Sequence, residues 1–222
     1  MSMTGAKKYP PMEVKRRRDL RPITVLSYIG LVLWAIICLF PVYWMLTFSL
    51  KNNTEIFGEN VIGLPRYWLF SNYTQALNTG HMYRYFLNSV IVAAATILIT
   101  LIASFMATYA ITRLVWKGRK LMNKFFMLGL TIPIHASIVP IYVSLSKLHM
   151  LSTYRAVIIP YSAFSLAMGI LISTGFMGDI PYDLDEAASI DGCGVWGTFL
   201  RIIAPLMLPA VATVGIYTFL QC

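Results

Sequence analysis

An all-α bundle of membrane-spanning helices is the fold class that the sequence predicts, and two observations lead to it. The composition is 58% hydrophobic and 12% charged, whereas a soluble domain has about 25% charged residues. In addition, five long stretches contain no Asp, Glu, Lys or Arg: residues 23–50, 89–112, 125–146, 156–178 and 202–222. Each reaches the roughly 20 residues that cross a bilayer as a helix. Because backbone polar groups in lipid must bond to one another, each stretch is predicted to be a helix.

The first predicted span, 23–50, follows a basic N-terminal segment, residues 1–22, and a second basic segment separates the second and third spans. Together these segments hold twelve of the eighteen Lys and Arg residues: Lys7, Lys8, Lys15, Arg16, Arg17, Arg18, Arg21, Arg113, Lys117, Arg119, Lys120 and Lys124. Alternating spans place both on one side, which the positive-inside rule makes the cytoplasm. We therefore predict a cytoplasmic N-terminus that meets membrane lipid, not nucleic acid. The first stretch has 28 residues, too long for the roughly 7–15-residue core of a signal peptide.

The remaining segments follow from this topology. Residues 51–84 are predicted to be an external segment, partly folded on the membrane surface. Residues 85–222 are predicted to form the membrane core domain, in which residues 179–201 make a cytoplasmic loop between the fourth and fifth spans.

Proline interrupts four of the five predicted spans. The prolines concerned are Pro41, Pro133, Pro140, Pro160, Pro205 and Pro209. Neighbouring helices can satisfy the carbonyls that proline leaves free, so these residues are compatible with simple kinks or with broken helices that line a transport pathway. His135 is the one titratable group well inside a span, which makes it a candidate pathway residue. It could equally lie near the outer end of a tilted helix.

The common motifs of enzymes and metal sites are absent from the sequence. The three cysteines, Cys38, Cys193 and Cys222, are widely spaced and form no CxxC pattern, which argues against a disulfide framework or a metal site. No GxxxxGK[ST], HExxH or GxSxG motif occurs, so the chain lacks the common nucleotide-binding and hydrolytic motifs. We predict that it is not an enzyme and binds no cofactor; any ATP would be bound by another chain.

Acidic residues are concentrated in the loop 179–201. Five of the nine in the chain lie there: Asp179, Asp183, Asp185, Glu186 and Asp191. A short helix over about 181–191 is predicted, with Asp179 as its N-cap, Pro181 in its first turn and Gly192 at its end. The positive end of the helix dipole would stabilise the acidic residues of the first turns.

One face of this predicted helix is small. Helical spacing places Leu184, Ala187, Ala188 and Asp191 together, and small side chains allow another surface to approach closely. A helix lying on lipid would favour Lys and Arg instead, and an anionic leaflet would repel the acids. The loop is therefore interpreted as a docking site for a soluble cytoplasmic partner whose basic groups pair with the acids.

At this loop the sequence resembles the permease subunits of ABC importers. Their signature, Glu-Ala-Ala followed by Gly and by Ile-x-Leu-Pro at fixed distances, corresponds here to Glu186-Ala187-Ala188, Gly192 and Ile202 to Pro205, with Ala204 in place of the leucine. The stretch IPYDLDEAASIDGCGVWGTFLRIIAPLMLPA is similar to the carbohydrate-uptake branch, the small permease type of the maltose system. The resemblance covers about residues 20–222 and implies the type I ABC importer permease fold, with five spans present of an expected six and an incomplete C-terminus.

The resemblance also implies a function. The chain would be a permease subunit of an ATP-driven, binding-protein-dependent importer of a sugar or oligosaccharide in the bacterial plasma membrane. Its partners would be a second permease subunit, a cytoplasmic ATPase dimer and an external solute-binding protein. Coupling to the ATPase would fall to Glu186, Ala187, Ala188, Asp191, Gly192 and Pro205. No substrate-binding residue is assigned. The alternatives are a permease for amino acids, phosphate or polyamines, and a non-transporting membrane scaffold.

Overall fold

The computed structural model describes residues 22–58 and 60–222. The predictions for the basic segment that ends at Arg21 lie outside the described residues. Every regular element in the described ranges is helical, as predicted for an all-α bundle. The chain divides into two compact units, of which the first ends at Gly80 and the second begins at His81.

The first unit begins with a long apolar helix. Helix α1 covers Pro22–Ser49 and agrees with the predicted span 23–50. Pro41 lies inside it without ending it, and Thr47 is its one buried residue. The large apolar side chains are exposed along most of its length, which is the pattern of a helix whose surroundings are lipid and not water.

Two short helices follow, α2 (Asn53–Ile56) and α3 (Ser71–Asn78). The side-chain amide of Asn72 donates to the backbone carbonyls of Ser49 and Lys51, at 3.0 and 2.9 Å. These bonds tie α3 to the residues that end α1. The segment after the first span thus contains two short helices, while its external position stays a prediction.

Two buried charged residues, Lys51 and Glu55, organise the chain between α2 and α3. The Lys51 ammonium, 2% exposed, donates to the backbone carbonyls of Asn60 and Val61, at 2.6 and 3.1 Å. The Glu55 carboxylate accepts the backbone N–H of Arg66 at 2.9 Å and the Asn60 side-chain amide at 3.0 Å. The Arg66 bond is the main reason that the pKa of Glu55 is lowered, against the opposing effect of its burial. Charged groups are tolerated in such a position because they are hydrogen-bonded.

The second unit contains the other helices. They are α4 (Met82–Thr112), α5 (Arg119–Gly129), α6 (Ile134–Lys147), α7 (Arg155–Gly178), α8 (Asp183–Ile190), α9 (Val195–Thr198), a π-helical turn (Phe199–Ile203), α10 (Ala204–Leu206) and α11 (Leu208–Gln221). Helix α4 begins at Met82 rather than at Ser89, so Arg84 lies within its first turn.

Two of the predicted spans are not single helices, so the prediction of five continuous helices is wrong. The stretch 125–146 is divided between α5 and α6, whose axes differ by 98°, and the stretch 202–222 bends by 74° at Met207. Pro133 is the N-cap of α6 with an extended ψ of 120°, as expected for a residue that lacks an N–H and ends a preceding helix. Among the described residues, three helices are long and apolar enough to span a membrane, or five if each bent pair counts as one span.

Small residues form the seam between α4 and α7. Four fully buried hydroxyl residues repeat every four positions along α4: Thr96, Thr100, Ser104 and Thr108. On α7, a β-carbon added to Gly169 would lie 3.1 Å from that of Ser104. Helices in membranes associate closely through such small residues, because lipid offers no hydrophobic driving force between them.

The end of this bundle next to residues 179–201 is filled by an apolar cluster. Its buried members come from α4, from the end of α7 and the residues just after it, from the π-helical turn, and from α11 and the residue that precedes it: Phe105, Tyr109, Met177, Ile180, Phe199, Ile203, Met207, Ala210 and Val214. Ile180 and Phe199 of the loop 179–201 are part of this cluster, so the loop packs against the helices.

Candidate functional site

The acidic stretch folds as α8 (Asp183–Ile190), which starts two residues later than predicted. Tyr182 is its N-cap and makes no side-chain capping bond. The prediction that Asp179 caps this helix is wrong, because Asp179 is the C-cap of α7. The backbone N–H groups of Asp179 and Ile180 still bond to α7 carbonyls, at 3.2 and 3.3 Å. Pro181 therefore lies in the connection between the helices, where a residue before proline is held out of the helical region.

The other end of α8 is as predicted. Gly192 has a φ of +79°, which favours glycine because it carries no β-carbon. Its N–H bonds to the carbonyl of Ser189 at 3.1 Å, and that of Cys193 bonds to the carbonyl of Ala188 at 2.9 Å. This pair of bonds is the Schellman motif, which satisfies two of the carbonyls left free at a helix end.

Helix α8 has one side against the protein and one side away from it. Ala188 is 2% exposed, and the Asp185 side chain is 19% exposed. On the opposite side, Glu186 and Ala187 are exposed and Ile190 is 85% exposed. With 3.6 residues per turn, these three project away from the buried side. The outer side of α8 therefore presents one exposed apolar side chain, that of Ile190, beside Glu186 and Ala187.

The predicted small face is therefore only partly correct. Ala187 and Asp191 are exposed and Leu184 is 37% exposed, whereas Ala188 is buried within the chain. The physical reason is the position of Asp185, one helical turn before Ala188, which is drawn to a basic group of the same chain. Sequence reasoning also missed Ile190, although an isoleucine between acids and the terminating glycine is a readable signal.

The basic group is Arg113, which directly follows α4. One of its guanidinium nitrogens lies 3.0 Å from the Asp185 carboxylate, and its side chain is 3% exposed. A second nitrogen donates to the backbone carbonyls of Met177, at 2.9 Å, and Ile180. The prediction that the acids of this loop pair with basic groups of a partner is thus wrong for Asp185, since it pairs within the chain.

Tyr182 adds two contacts at the same place. Its ring centre lies 4.1 Å from the guanidinium carbon of Arg113, a cation–π geometry. Its hydroxyl donates to the carbonyl of Thr112 at 2.8 Å. Sequence reasoning counted Arg113 only for topology. The available signal was that the second span ends in an arginine on the same predicted side as the acids.

Beyond α8, aromatic residues connect the loop to α4. The rings of Tyr109 and Phe199 lie 5.1 Å apart, and Trp196 meets Phe199 edge-on at 6.3 Å. Phe199 opens the π-helical turn Phe199–Ile203; π-helical turns occur frequently at functional sites. Pro205 lies further on, in the first positions of α10, and is exposed.

The other candidate residues are scattered. His135 is exposed in the first turn of α6, just after the bend that follows α5. The three cysteines are free. Within residues 22–58 and 60–222, no group of three or more His, Cys, Asp or Glu side chains could hold a metal ion. Around α8, the structure thus brings Asp185, Arg113 and Tyr182 together and leaves Glu186, Ala187 and Ile190 exposed.

Comparison with known proteins identifies the family. Residues 99–221 match the family of binding-protein-dependent transport system inner membrane components. This match covers more than half of the chain, including α8 and the turn that ends at Gly192. The chain belongs to this family. It is therefore a multi-pass protein of the inner membrane and a transport component, as the resemblance at Glu186 to Pro205 indicated.

Individual relatives of this transport component are permease subunits. It is 34% identical to the diacetylchitobiose uptake system permease protein NgcG of Streptomyces coelicolor, over 90% of the chain and 66% of NgcG. It is 35% identical to the trehalose/maltose transport system permease protein MalG of Thermococcus litoralis, over 88% of the chain and 70% of MalG. The chain thus spans about two thirds of the length of these relatives.

The fold also has a counterpart among solved structures. A crystal structure of a bacterial ABC transporter involved in the import of the acidic polysaccharide alginate matches 92% of this chain and 71% of that chain, with a TM-score of 0.79 and 20% identity. At this identity the likeness concerns the fold alone. The predicted type I importer permease fold is confirmed.

Proposed function

We propose that this permease-family chain forms half of the membrane pathway of an ATP-driven importer of a sugar or oligosaccharide. The observation that carries the proposal is the two-sided helix α8. Its outer side offers Glu186, Ala187 and Ile190, while its inner side is fixed to the spans through Asp185 and Arg113. A helix with this arrangement can take up the movement of a bound protein and pass it to the membrane bundle.

The proposed partner on the outer side is a cytoplasmic ATPase subunit. Ile190 and Ala187 would enter a cleft on its surface, because an exposed apolar side chain beside a small one fits a concave site. Glu186 and Asp191 would lie at the rim, where charges mainly set orientation and association rate. Ala188 would act from within, by holding α8 against its own chain. Gly192 would fix the end of the helix, and Pro205 the start of the last span.

The remaining partners follow from the family. A second permease subunit would complete the pathway, an external binding protein would deliver the solute, and the ATPase dimer would bind ATP. The N-terminus would be cytoplasmic, with residues 51–84 outside and residues 179–201 inside. A carbohydrate is the proposed solute because NgcG and MalG are named for the uptake of diacetylchitobiose and of trehalose and maltose.

Transport by the reconstituted full complex tests the proposal. Vesicles containing both permeases, the ATPase and the binding protein are expected to accumulate labelled oligosaccharide only with internal ATP. Glu186→Ala is expected to lower binding-protein-stimulated ATP hydrolysis, with membrane insertion unchanged. Asp179→Ala, an exposed acid of the same loop outside α8, is the matched control and is expected to retain stimulation.

Each other outcome has a defined meaning. Accumulation of an amino acid, phosphate or a polyamine instead of a sugar would overturn the substrate class but not the coupling. Binding of the ATPase without accumulation of any of these solutes would overturn transport and favour a scaffold. Full binding-protein-stimulated ATP hydrolysis in Glu186→Ala would show that Glu186 is not among the residues of α8 that couple to the ATPase.

A further inference from the structure

Arg113 is the most enclosed charged side chain near α8, and its position is not explained by membrane topology alone. A lysine or arginine that only orients a span can remain in water at the membrane surface. The side chain of Arg113 is instead 3% exposed. Burying a guanidinium is costly unless it is paired and hydrogen-bonded, so its contacts indicate what the position requires.

Those contacts join three elements at one point. Arg113 directly follows α4, its guanidinium donates to the carbonyls of Met177 and Ile180 at the end of α7, and it pairs with Asp185 on α8 at 3.0 Å. The carbonyls at a helix end carry the negative end of the helix dipole, which favours a cation. The planar guanidinium has several donors in a fixed geometry and can serve a carboxylate and carbonyls together, unlike a lysine.

Tyr182 holds the cation from a further direction. Its ring lies 4.1 Å from the guanidinium carbon, and its hydroxyl is bonded to Thr112 at the end of α4. The residue that caps α8 therefore also touches α4. A displacement of α8 cannot occur without moving Arg113 or breaking these contacts.

We propose that Arg113 is a positioning residue that transmits the displacement of α8 to α4 and α7, and so links ATP hydrolysis to opening of the pathway. This inference depends on the proposed docking of α8 to an ATPase. A residue that only stabilises the fold would, when changed, reduce the amount of complex. A transmitting residue would, when changed, leave the complex intact and reduce solute transported per ATP hydrolysed.

The first test changes only the α8 side of the contact. Asp185→Asn leaves Arg113 and its two carbonyl acceptors in place, so the protein is expected to fold. In the full complex, solute transported per ATP is expected to fall about tenfold, within the usual range of coupling between sites. Asp179→Asn removes the same charge from the same loop and is expected to keep the wild-type ratio.

The second test changes the donor. Arg113→Gln is expected to lower the transport-to-hydrolysis ratio at least as much as Asp185→Asn, and Arg113→Lys to restore part of it, because lysine keeps the charge but not the fork of donors. The matched control is Lys117→Gln, which changes an exposed basic residue in the connection between α4 and α5. A wild-type ratio in either Asp185→Asn or Arg113→Gln would overturn the proposal. So would losses that match the amount of assembled complex.

A crosslink separates this proposal from the one on which it depends. Ile190→Cys is expected to crosslink to the ATPase in wild-type and Arg113→Gln backgrounds alike, because docking and transmission are distinct steps. No crosslink in the wild-type background would overturn the proposed docking. A crosslink with an unchanged transport ratio in Arg113→Gln would overturn only the role of Arg113.

Discussion

Gly192 is the residue at which a single change should act through backbone conformation alone. Its φ of +79° lies in the left-handed region, which costs an L-residue about 1–2 kcal/mol. A β-carbon added there would meet no atom within 4 Å, so no clash adds to this cost. Gly192→Ser is therefore expected to weaken the end of α8 by about 1–2 kcal/mol, or about 5- to 30-fold in the population of the opened turn.

Amide hydrogen exchange in the folded protein measures this directly. The N–H groups of Gly192 and Cys193 make the two bonds that close the helix, to Ser189 and Ala188, and residues 192 and 193 should exchange faster in the variant by that factor. Gly194→Ser is the matched control. Gly194 has a φ of −73°, also has no atom within 4 Å of an added β-carbon, and occupies an N-cap position that accepts serine.

The expected result is faster exchange at the end of α8 in Gly192→Ser and unchanged exchange there in Gly194→Ser. Gly192→Asn is expected to fall between the wild type and Gly192→Ser, since asparagine tolerates the left-handed region better than most residues. Equal exchange in the two serine variants would refute the conformational explanation of this glycine.

Two further predictions concern the spans and the first unit. Gly169→Leu is expected to destabilise the folded protein by about 1–3 kcal/mol by overpacking the seam between α4 and α7, because an added β-carbon already lies 3.1 Å from that of Ser104. Thermal unfolding in detergent measures this loss of stability. Gly175→Leu, with open space on the same helix, is the control, and an equal loss in that variant would contradict the explanation. The pKa of Glu55 is lowered from its ordinary 4.5, chiefly by the backbone N–H of Arg66, so the stability that its charge contributes is present above pH 4.5 and is lost as the pH falls through the lower, folded-state pKa. Unfolding temperatures measured across this acid range should depend less on pH in Glu55→Gln than in the wild type, and identical pH profiles would refute this role of Glu55.

Span positions could be read from the sequence because they depend on a local property, the length of an uncharged stretch. The bends within two of these spans could not be read from the sequence in this way. Pro133 and Pro140 have the same chemistry, yet the first precedes α6 and the second lies within it. Proline permits either result, and packing against other helices decides which occurs. The bend at Met207 has no residue-level signal of its own beyond the neighbouring prolines.

The site was predictable to a similar degree. Gly192 could be identified as the end of α8 because glycine has a specific backbone preference there. The partner of Asp185 could not, because Arg113 lies 72 positions earlier (185 − 113) and meets it only when α4 and α7 pack side by side. With that pairing, Ala187 faces outward and Ala188 inward, whereas helical spacing alone had placed both on the same face.

The most direct test of the central claim is site-specific crosslinking from α8 in the assembled complex. Cys38, Cys193 and Cys222 are free and would first be replaced by serine. A single cysteine would then be placed at Ala187, which is exposed, or at Ala188, which is 2% exposed. We expect a covalent adduct between residue 187 and the ATPase subunit, and none from residue 188. Absence of the adduct from residue 187 would contradict the docking of α8 to the ATPase. Labelling of a cysteine at position 187 by a membrane-impermeant reagent added outside intact cells would contradict it as well.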